Sequence, residues 1–291
     1  MPRKIDLHVH STYSDGLHTP DELVRLAARQ GVSVLALADH DTVDGIDAAR
    51  TAGAAAGIEI VSAVELSVEF RHYHDVHLLG YMINYHDEEF QGILKQFRTR
   101  RDERGKQIIT LINERLVAEG KETIHYEELM HSSDGSLGRP HIARRLIAIG
   151  AVREMQEAFE KYLEPCDVPK QYFPMEKALA EIRRIGGISV LAHPLSITSE
   201  RQILRSVIEE LSTMGLDGVE VYNNMSTAED SSFLDQIAAG LAMITTGGSD
   251  FHGGNDALQI GELRSGVTVT DEHLRMLSDR HRQLFPYGHL A

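Results

Sequence analysis

Short apolar runs alternate with helical patterns over most of the chain. The runs that predict strands are 5–9, 32–38, 59–64, 76–81, 189–192, 218–221, 241–245 and 266–269. Between them, apolar residues recur at the spacing of amphipathic helices, as in 20–30, 46–56 and 175–185. Strands that alternate with helices are typical of βα units, so the pattern predicts an α/β fold with a parallel sheet.

The alternation stops between residues 98 and 170, where only helical patterns occur. Predicted helices cover 107–118, 140–149 and 152–163. This segment has 13 basic and 13 acidic residues, so the rest of the chain carries the whole net charge of −15. We therefore predict a body, 1–97 plus 171–291, and a helical insertion, 98–170. Charge alone leaves open whether the insertion is a substrate-facing cap or a solvated helical hairpin.

Composition limits the class of protein. The chain has 291 residues, 42% of them hydrophobic, without an uninterrupted apolar run long enough for a membrane helix. The N-terminal residues lead directly into a strand pattern and do not resemble a secretion signal. Cys166 is the only cysteine, which fits a reducing compartment, and we expect a cytoplasmic protein. The acidic surface argues against a stable nucleic-acid complex, and the oligomeric state stays open.

Histidines and carboxylates collect near the ends of the predicted strands. His8 and His10 point the same way because side chains alternate along a strand, and Asp15 follows one loop later. Imidazoles together with a carboxylate suit a divalent transition metal. His77, inside its predicted strand, is the exception to the strand-end pattern. The other candidates at strand ends are His40, Glu65, His193, Asp250 and His252.

The order of these motifs resembles the PHP (polymerase and histidinol phosphatase) superfamily. The matching stretches are DLHVHSTYSDG, ADHD, VELS, HLLG, LAHP and GSDFH. The insertion, with its Gly138–Arg144 stretch GRPHIAR, is similar to a subgroup containing nucleoside 3′,5′-bisphosphate phosphatases and related 5′→3′ exoribonucleases. The resemblance implies a distorted (β/α)7, TIM-like barrel with a helical insertion.

The resemblance also implies a centre of two or three divalent metals. One metal would be held by His8, His10, Glu65 and Asp250, and a second by Asp15, His40 and His252. A third would be held by Glu65, His77 and His193, with Glu65 as the bridge; His74 competes with His77 for that place. A hydroxide bridging the metals would attack the phosphorus. Nitrogen and oxygen ligands without thiolates suit Mn, Fe or Zn, and Mn is the first choice on resemblance.

Other residues are candidates for orienting ligands or binding substrate. Asp39 and Asp41 flank His40, and we predict that they orient imidazoles, with loop capping as the alternative. Arg139 and His141 are predicted to contact a second phosphate of the substrate, with a surface loop as the alternative, and the nearby Arg144 is predicted to be a further substrate-binding residue. Tyr222 and Asn223 are predicted to line a base or ribose pocket. The basic run Arg98, Arg100, Arg101 and Arg104 is predicted to be a solvated helix face, with an RNA-backbone contact as the alternative.

The leading hypothesis is a metal-dependent hydrolase that releases the 3′-phosphate of nucleoside bisphosphates or acts on short 5′-phosphorylated RNA. Histidinol-phosphate phosphatase and cyclic-phosphodiester hydrolase are alternatives with the same chemistry. A non-catalytic metal-binding accessory module is the alternative of another class.

Overall fold

The computed structural model describes residues 3–130, 138–254 and 258–287. Within these ranges, no helix is both long enough and apolar enough to cross a membrane. The structure is an α/β barrel-like fold with a helical insertion, which confirms the predicted fold class.

Seven strands follow one another around a curled sheet, in the order β1-β2-β3-β4-β6-β7-β8, and β5 pairs with β3 at its side. The strands are β1 (Lys4–Val9), β2 (Val32–Leu37), β3 (Glu59–Phe70), β4 (Tyr73–Tyr81), β5 (Phe173–Pro174), β6 (Ile188–Leu191), β7 (Gly218–Tyr222) and β8 (Ile244–Gly247).

The sheet is mixed, so the prediction of a wholly parallel sheet is wrong at one strand. β4 runs antiparallel to both β3 and β6, whereas the other neighbouring pairs are parallel. The reason is local, because β3 turns directly into β4 as a hairpin through Arg71 and His72 without a crossover helix. β3 also extends past its predicted end at residue 64 to Phe70.

The two ends of the strand order are joined by isolated backbone contacts. Val9 forms a parallel bridge with Phe251, and the His10 amide donates to the Phe251 carbonyl at 3.0 Å. The predicted strand at 266–269 is wrong. The segment forms no strand: the Ile5 amide of β1 donates to the Val269 carbonyl, and Lys4 forms an isolated bridge with the following residue, Thr270.

Helices of the barrel cover the outside of the sheet. They are α1 (Pro20–Arg29), α2 (Ile46–Ala56), α7 (Met175–Arg184), α8 (Arg201–Thr213), α9 (Ala228–Gly240) and α10 (Asp271–Leu284). The first one begins as its sequence predicts: Thr19 caps it, Pro20 fills its first turn and Glu22 completes a reciprocal capping box.

In its described part, the segment 98–170 consists of helices joined by turns and contains no strand. It comprises most of α3 (Glu88–Ala118), then α4 (Tyr126–Met130), α5 (Arg139–Ala148), α6 (Met155–Ala158) and a π-helical turn, Phe159–Leu163. α3 has 31 residues and passes through position 98, so one continuous helix connects the barrel to the insertion. Its start is fixed by Asp87, whose side chain accepts from the Phe90 amide at 2.9 Å.

Separate apolar cores support the two regions. Inside the barrel, a cluster includes Leu7, Ala36, Leu79, Tyr81 and Val190. The insertion has its own buried cluster, which includes Ile112, Leu116, Ile142, Leu146 and Tyr162. The insertion is therefore held together by contacts among its own helices.

Candidate metal centre

The structure brings all nine predicted metal ligands together at one mouth of the barrel. Glu65 lies at the centre of the group and is fully buried. Its Oε2 is 3.4 Å from His8 Nε2, 3.3 Å from His10 Nε2 and 2.9 Å from His40 Nδ1. Its Oε1 is 3.1 Å from His77 Nδ1 and 3.0 Å from His193 Nε2. One carboxylate thus contacts five imidazoles, which is the position of a bridging ligand.

The first candidate site is formed by His8, His10 and Glu65, whose ligand atoms all lie within 4.8 Å of one another. Asp250 Oδ1 lies beside them, 3.1 Å from His10 Nε2 and 3.5 Å from His8 Nε2. This set has the same members as the first predicted metal site.

The second candidate site contains Asp15, His40 and His252, as grouped from the sequence, and His10 in addition. Asp15 is its carboxylate: Oδ1 is 3.1 Å from His252 Nε2, and Oδ2 is 3.9 Å from His40 Nε2.

The third candidate site is formed by Glu65, His77 and His40. The predicted grouping has His193 where the structure places His40. His193 is nevertheless adjacent, because its Nε2 lies 3.2 Å from His77 Nδ1. The exposed residue His74 lies apart and pairs with Glu69 at 3.8 Å, so the structure places His77 and not His74 in the cluster.

Strand alternation explains why the ligands converge. On β2, Val34, Ala36 and Ala38 face the barrel interior, and His40 is the next residue of that series. On β3, Val61 and Ala63 precede Glu65 in the same way. These interior faces therefore carry apolar residues at depth and ligands at the mouth.

The direction of β4 explains the one residue that did not fit the strand-end pattern. Tyr81 and Leu79 face the interior, and His77 is the next residue of the series toward the start of the strand. Because β4 is antiparallel, its first half lies at the mouth, where His77 pairs in register with Ser67 of β3. Glu65 is also inside its strand, since the β3–β4 hairpin continues beyond the mouth.

Three residues after strands at the mouth have left-handed backbones. The φ angles are 52° at Asp41, 23° at His193 and 53° at Asp250. Conformations of this kind are costly for residues other than glycine and concentrate at functional sites. Gly248 allows the loop that carries Asp250 to approach β1, because a Cβ there would lie 2.4 Å from the His8 backbone nitrogen.

The donor atoms of the cluster fit divalent metal ions. Several buried side-chain atoms at the centre have no hydrogen-bond partner among the residues that the structure describes, although they lie close to one another. They are His8 Nε2, both ring nitrogens of His10, Asp15 Oδ1, His40 Nδ1, Glu65 Oε2 and Asp250 Oδ1. Buried polar atoms without partners are unfavourable, and a cation coordinated by them would remove that cost. Imidazole and carboxylate donors without thiolates suit Mn, Fe or Zn.

Local charges favour metal-binding protonation states at three carboxylates and at His10. Burial alone would raise the pKa values of Glu65, Asp15 and Asp250, but the surrounding imidazoles outweigh it and hold each pKa well below its usual range. Burial, with the neighbouring charges of His252 and His40, lowers the pKa of His10 to about 3. The three carboxylates are therefore ionised and His10 is neutral at neutral pH. His252 differs: burial alone would lower its pKa, but the charge of Asp15 outweighs burial and raises that pKa to about 10, which favours the protonated imidazole until a metal ion binds.

Glu220 is a site residue that the sequence analysis missed. Its fully buried carboxylate accepts from His8 Nδ1 at 2.9 Å and from the His193 backbone amide at 2.8 Å. Burial alone would lower the pKa of His8, but Glu220, with Glu65 and Asp250, outweighs it and raises that pKa well above its usual value. A carboxylate on the ring nitrogen opposite the ligand atom fixes the orientation of the imidazole. A charged residue within the apolar strand run GVEVY was the signal available in the sequence.

Asp39 and Asp41 hold loops, and neither is hydrogen-bonded to an imidazole in the described part of the chain. Asp39 accepts from the Ser11 amide at 2.7 Å and from the Ser14 hydroxyl at 2.6 Å. Asp41 accepts from the Ser67 amide at 2.8 Å and pairs with Arg101. The loop-capping alternative therefore describes both residues.

The predicted substrate residues separate into different environments. Arg144 is half-buried beside the nine clustered candidate ligands, which we call the metal cluster. Its Nη1 has no hydrogen-bond partner among the described residues. Arg139 lines a different cavity and lies 3.9 Å from Asp167. His141 is not placed against substrate: it is buried, and its Nδ1 accepts from the Gly138 amide at 3.1 Å at the start of α5.

Of the two residues predicted to line a base or ribose pocket, Asn223 lines the cavity that contains Arg144, whereas Tyr222 does not. A bulge between Glu220 and Tyr222 turns the Tyr222 ring outward, where its hydroxyl donates to Asp235 at 2.5 Å. Asn223 borders the cavity, but its carboxamide closes its own turn and accepts from the Met225 amide at 2.9 Å.

Two cavities open from the metal cluster, and both are lined by Asp15 and Pro140. The first has a volume of about 390 Å³ and includes Arg144, Met225 and Arg264. The second has a volume of about 200 Å³ and includes Arg101, Arg104, Arg139 and Lys170. The predicted solvated face is wrong for Arg101 and Arg104, whose side chains are each only 14% exposed.

A cluster of candidate metal ligands between two arginine-lined cavities at the mouth of an α/β barrel suits the hydrolysis of phosphate esters, and comparison with known proteins agrees. The PHP domain model matches residues 6–184. A 5′-3′ exoribonuclease of Haemophilus influenzae is 33% identical over 255 residues, which cover 87% of this chain and 91% of that protein. A 3′,5′-nucleoside bisphosphate phosphatase of Chromobacterium violaceum is 33% identical over 261 residues, which cover 87% of this chain and 90% of that protein.

Among solved structures, a metal-dependent phosphoesterase from Bifidobacterium adolescentis has a TM-score of 0.82 and 27% sequence identity, and the match covers 96% of this chain and 98% of that chain. The fold and the site therefore define a metal-dependent phosphoric ester hydrolase. The chain belongs to the PHP family, and the resemblance seen in its sequence is confirmed.

Proposed function

We propose that this phosphoesterase removes the 3′-phosphate from nucleoside 3′,5′-bisphosphates. The observation that carries the proposal is Arg144, a half-buried guanidinium in the same cavity as the ligands Asp15, His193 and His252. Leaving its Nη1 buried without a hydrogen bond costs about 1–3 kcal/mol. A phosphate group in this cavity would receive charge-assisted hydrogen bonds from Arg144 and remove that cost.

The rest of the first cavity also suits a nucleotide. Burial lowers the pKa of Arg144, and contact with an anion would favour its charged form. Met225, Phe251 and Leu258 add apolar surface for a ribose or base, and Arg264 adds a second cation. The start of α5, where Pro140 lies, favours a negative group through the helix dipole.

During hydrolysis, the scissile 3′-phosphate would lie at the metal cluster, and the 5′-phosphate would lie near Arg144. Bound divalent ions would offset the charge of the phosphate and lower the pKa of a water molecule. The nine clustered ligands would hold these ions, with Glu65 shared between them. Water adds to phosphorus, the bond from phosphorus to O3′ breaks, and O3′ takes up a proton. The products are a nucleoside 5′-phosphate and inorganic phosphate.

The metal is proposed to be Mn, with Fe and Zn as alternatives for the same donor set. Elemental analysis of the purified protein, followed by activity after metal removal and addition of each ion, tests this. Activity restored only by Mg would contradict it, because Mg prefers oxygen ligands.

The substrate proposal is tested with the Mn-loaded wild-type protein and four substrates: adenosine 3′,5′-bisphosphate (pAp), AMP, histidinol phosphate and a cyclic phosphodiester. We expect kcat/KM for pAp to exceed that for AMP by at least about tenfold, the effect of one charge-assisted contact. Histidinol phosphate should be poor, because its ammonium group would face Arg144. Glu65→Gln, purified in parallel, controls for contaminating phosphatases.

Equal activity on pAp and AMP would contradict the proposal. Preference for histidinol phosphate or for the cyclic diester would keep the metal centre but would overturn the role of Arg144.

A further inference from the structure

A nucleoside bisphosphate uses the first cavity and the metal cluster, and it leaves the second cavity without a function. That cavity continues into a third, of about 140 Å³, and the two share Arg101, Arg104 and Lys170. We call the continuous surface lined by Phe97, Arg100, Arg101, Arg104, Phe159 and Lys170 the arginine groove.

The arginine groove is positive on a protein whose net charge is −15. Four of its six defining residues are cations, and Arg139 lies beside them in the second cavity. The carboxylates along it are fewer. Asp15, Asp41 and Glu103 line the two cavities, Asp41 pairs with Arg101, and Asp167 pairs with Arg104. These pairs fix the two guanidiniums at the wall of the groove and leave an excess of positive charge.

Aromatic side chains are interspersed with these cations. Arg100 lies over the Phe97 ring at 5.7 Å, and Arg139 lies over the Phe159 ring at 5.9 Å. Both rings are partly exposed. A cationic groove with partly exposed aromatic rings is typical of surfaces that bind single-stranded nucleic acid, in which the backbone meets the cations and the bases stack.

We propose that the arginine groove binds the part of a single-stranded oligonucleotide that lies 3′ of the scissile phosphate. This inference rests on the proposed function, because it places the first nucleotide in the first cavity with its 5′-phosphate near Arg144. The scissile phosphate then lies at the metal cluster, between the two cavities that share Asp15 and Pro140.

The same reaction accounts for both substrates. In a bisphosphate, the three other oxygens of the scissile phosphate are terminal. In an oligonucleotide, one of them is O5′ of the next nucleotide, so the chain must leave the cluster on the side away from the first cavity. Water adds to phosphorus, the bond to O3′ breaks and O3′ takes up a proton. A nucleoside 5′-phosphate is released, and the shortened chain keeps a 5′-phosphate.

The test compares pAp with the 5′-phosphorylated tetranucleotide pApApApA in the Mn-loaded wild type and in Arg100→Ala/Lys170→Ala. We expect wild type to release AMP from the tetranucleotide. The variant should lose at least about tenfold in kcat/KM on the tetranucleotide and much less on pAp. The dependence of log KM on log salt should become shallower by about 0.7 for each lost phosphate contact.

The matched control is Arg29→Ala/Lys177→Ala, which removes the same charge from exposed positions on α1 and α7. It should leave the ratio of the two activities as in wild type. A second readout is fluorescence anisotropy of 3′-labelled pApApApA with metal-free protein. Its Kd should rise about tenfold in Arg100→Ala/Lys170→Ala and stay constant in the control.

Equal losses on both substrates, or an equal Kd in both double variants, would overturn the role of the groove. A wild type that hydrolyses pAp but not the tetranucleotide would also overturn it and leave the proposed function intact. Selective loss on the tetranucleotide, in an enzyme that does not distinguish pAp from AMP, would support the groove while the proposed function fails.

Discussion

The barrel mouth and the helical insertion line the same two cavities but are built differently. At the mouth, Glu65 and the five imidazoles that it contacts lie on strands or directly after them, and the contacting nitrogen atoms lie within 3.4 Å of the carboxylate. The insertion and the helix leading into it contribute long side chains, such as Arg144 and Arg101, from helices. We infer that the barrel supplies the reaction and that the insertion supplies the selection of substrate.

The separate core of the insertion makes this division testable. Ile112, Leu146 and Tyr162 pack together without residues of the barrel interior. Changes in that core should therefore alter how the substrate is held without removing the metal ligands.

The largest effect is expected at the bridging carboxylate. Glu65→Gln should lower kcat on any phosphate ester by about 10³-fold or more, because the metals contribute several kcal/mol to transition-state stabilisation. Metal content, measured by elemental analysis, should fall as well. Glu69→Gln, on the same strand but 39% exposed beside His74, is the matched control. Near-normal activity in Glu65→Gln would place the reaction elsewhere.

A smaller effect is expected at the residue that orients two ligands. Glu220→Gln keeps the size of the side chain but removes the charge opposite His8 Nδ1. Metal affinity, measured by competition with a chelator, should fall about 10–100-fold, as for other residues that orient metal ligands. Substrate selectivity should not change. Unaltered affinity would mean that packing alone fixes His8.

A change in the core of the insertion should affect substrate selectivity without affecting the metal centre of the barrel. Ile112→Ala removes a fully buried side chain and should destabilise the insertion by about 2–5 kcal/mol. We expect a lower kcat/KM for pAp relative to p-nitrophenyl phosphate, a simple monoester, with the metal content retained. Leu111→Ala, on the exposed side of the same helix, is the control. Parallel loss of metal would show that the two regions are not independent.

The smallest effect is expected at the start of α3, the helix that joins the barrel to the insertion. Asp87 caps α3 and pairs with Arg184 at 2.6 Å, and this pairing lowers the pKa of Asp87 to about 2. A carboxyl whose pKa is depressed in the folded state stabilises it above about pH 4 and loses that effect as pH falls toward 2. Asp87→Ala should lower Tm by about 2–4 °C at pH 7. The difference from wild type should shrink between pH 4 and 2. A Tm difference that stays constant between pH 4 and 2 would exclude the charge of Asp87 as its cause.

The sequence carried most of the information about the ligands and less about their surroundings. His8, Glu65 and Asp250 could be found because strand alternation places chemically distinctive residues on one face. The antiparallel direction of β4 could not be predicted, because it depends on a hairpin that the apolar pattern divided into two separate strands. Tyr222 points outward because of a bulge, and a bulge of one residue leaves no trace in apolar periodicity.

The insertion was harder to interpret because helical periodicity identifies helices without fixing how they pack. Arg139, His141 and Arg144 lie within one turn and a half of α5, and the structure directs them to three different surroundings. Arg101 and Arg104 resembled a solvated face in sequence, yet tertiary contacts with Asp41 and Asp167 place them in the groove.

The most direct test of the division between reaction and selection is Arg144→Ala compared with Arg145→Ala. Arg145 is the next residue of α5 and faces away from the cavity, 2.8 Å from Glu128. We measure kcat/KM for pAp and for p-nitrophenyl phosphate in both variants and in wild type. Arg144→Ala should lose at least about tenfold on pAp and little on p-nitrophenyl phosphate, while Arg145→Ala resembles wild type on both. Equal losses on the two substrates in Arg144→Ala, or the same selectivity in both variants, would contradict the account.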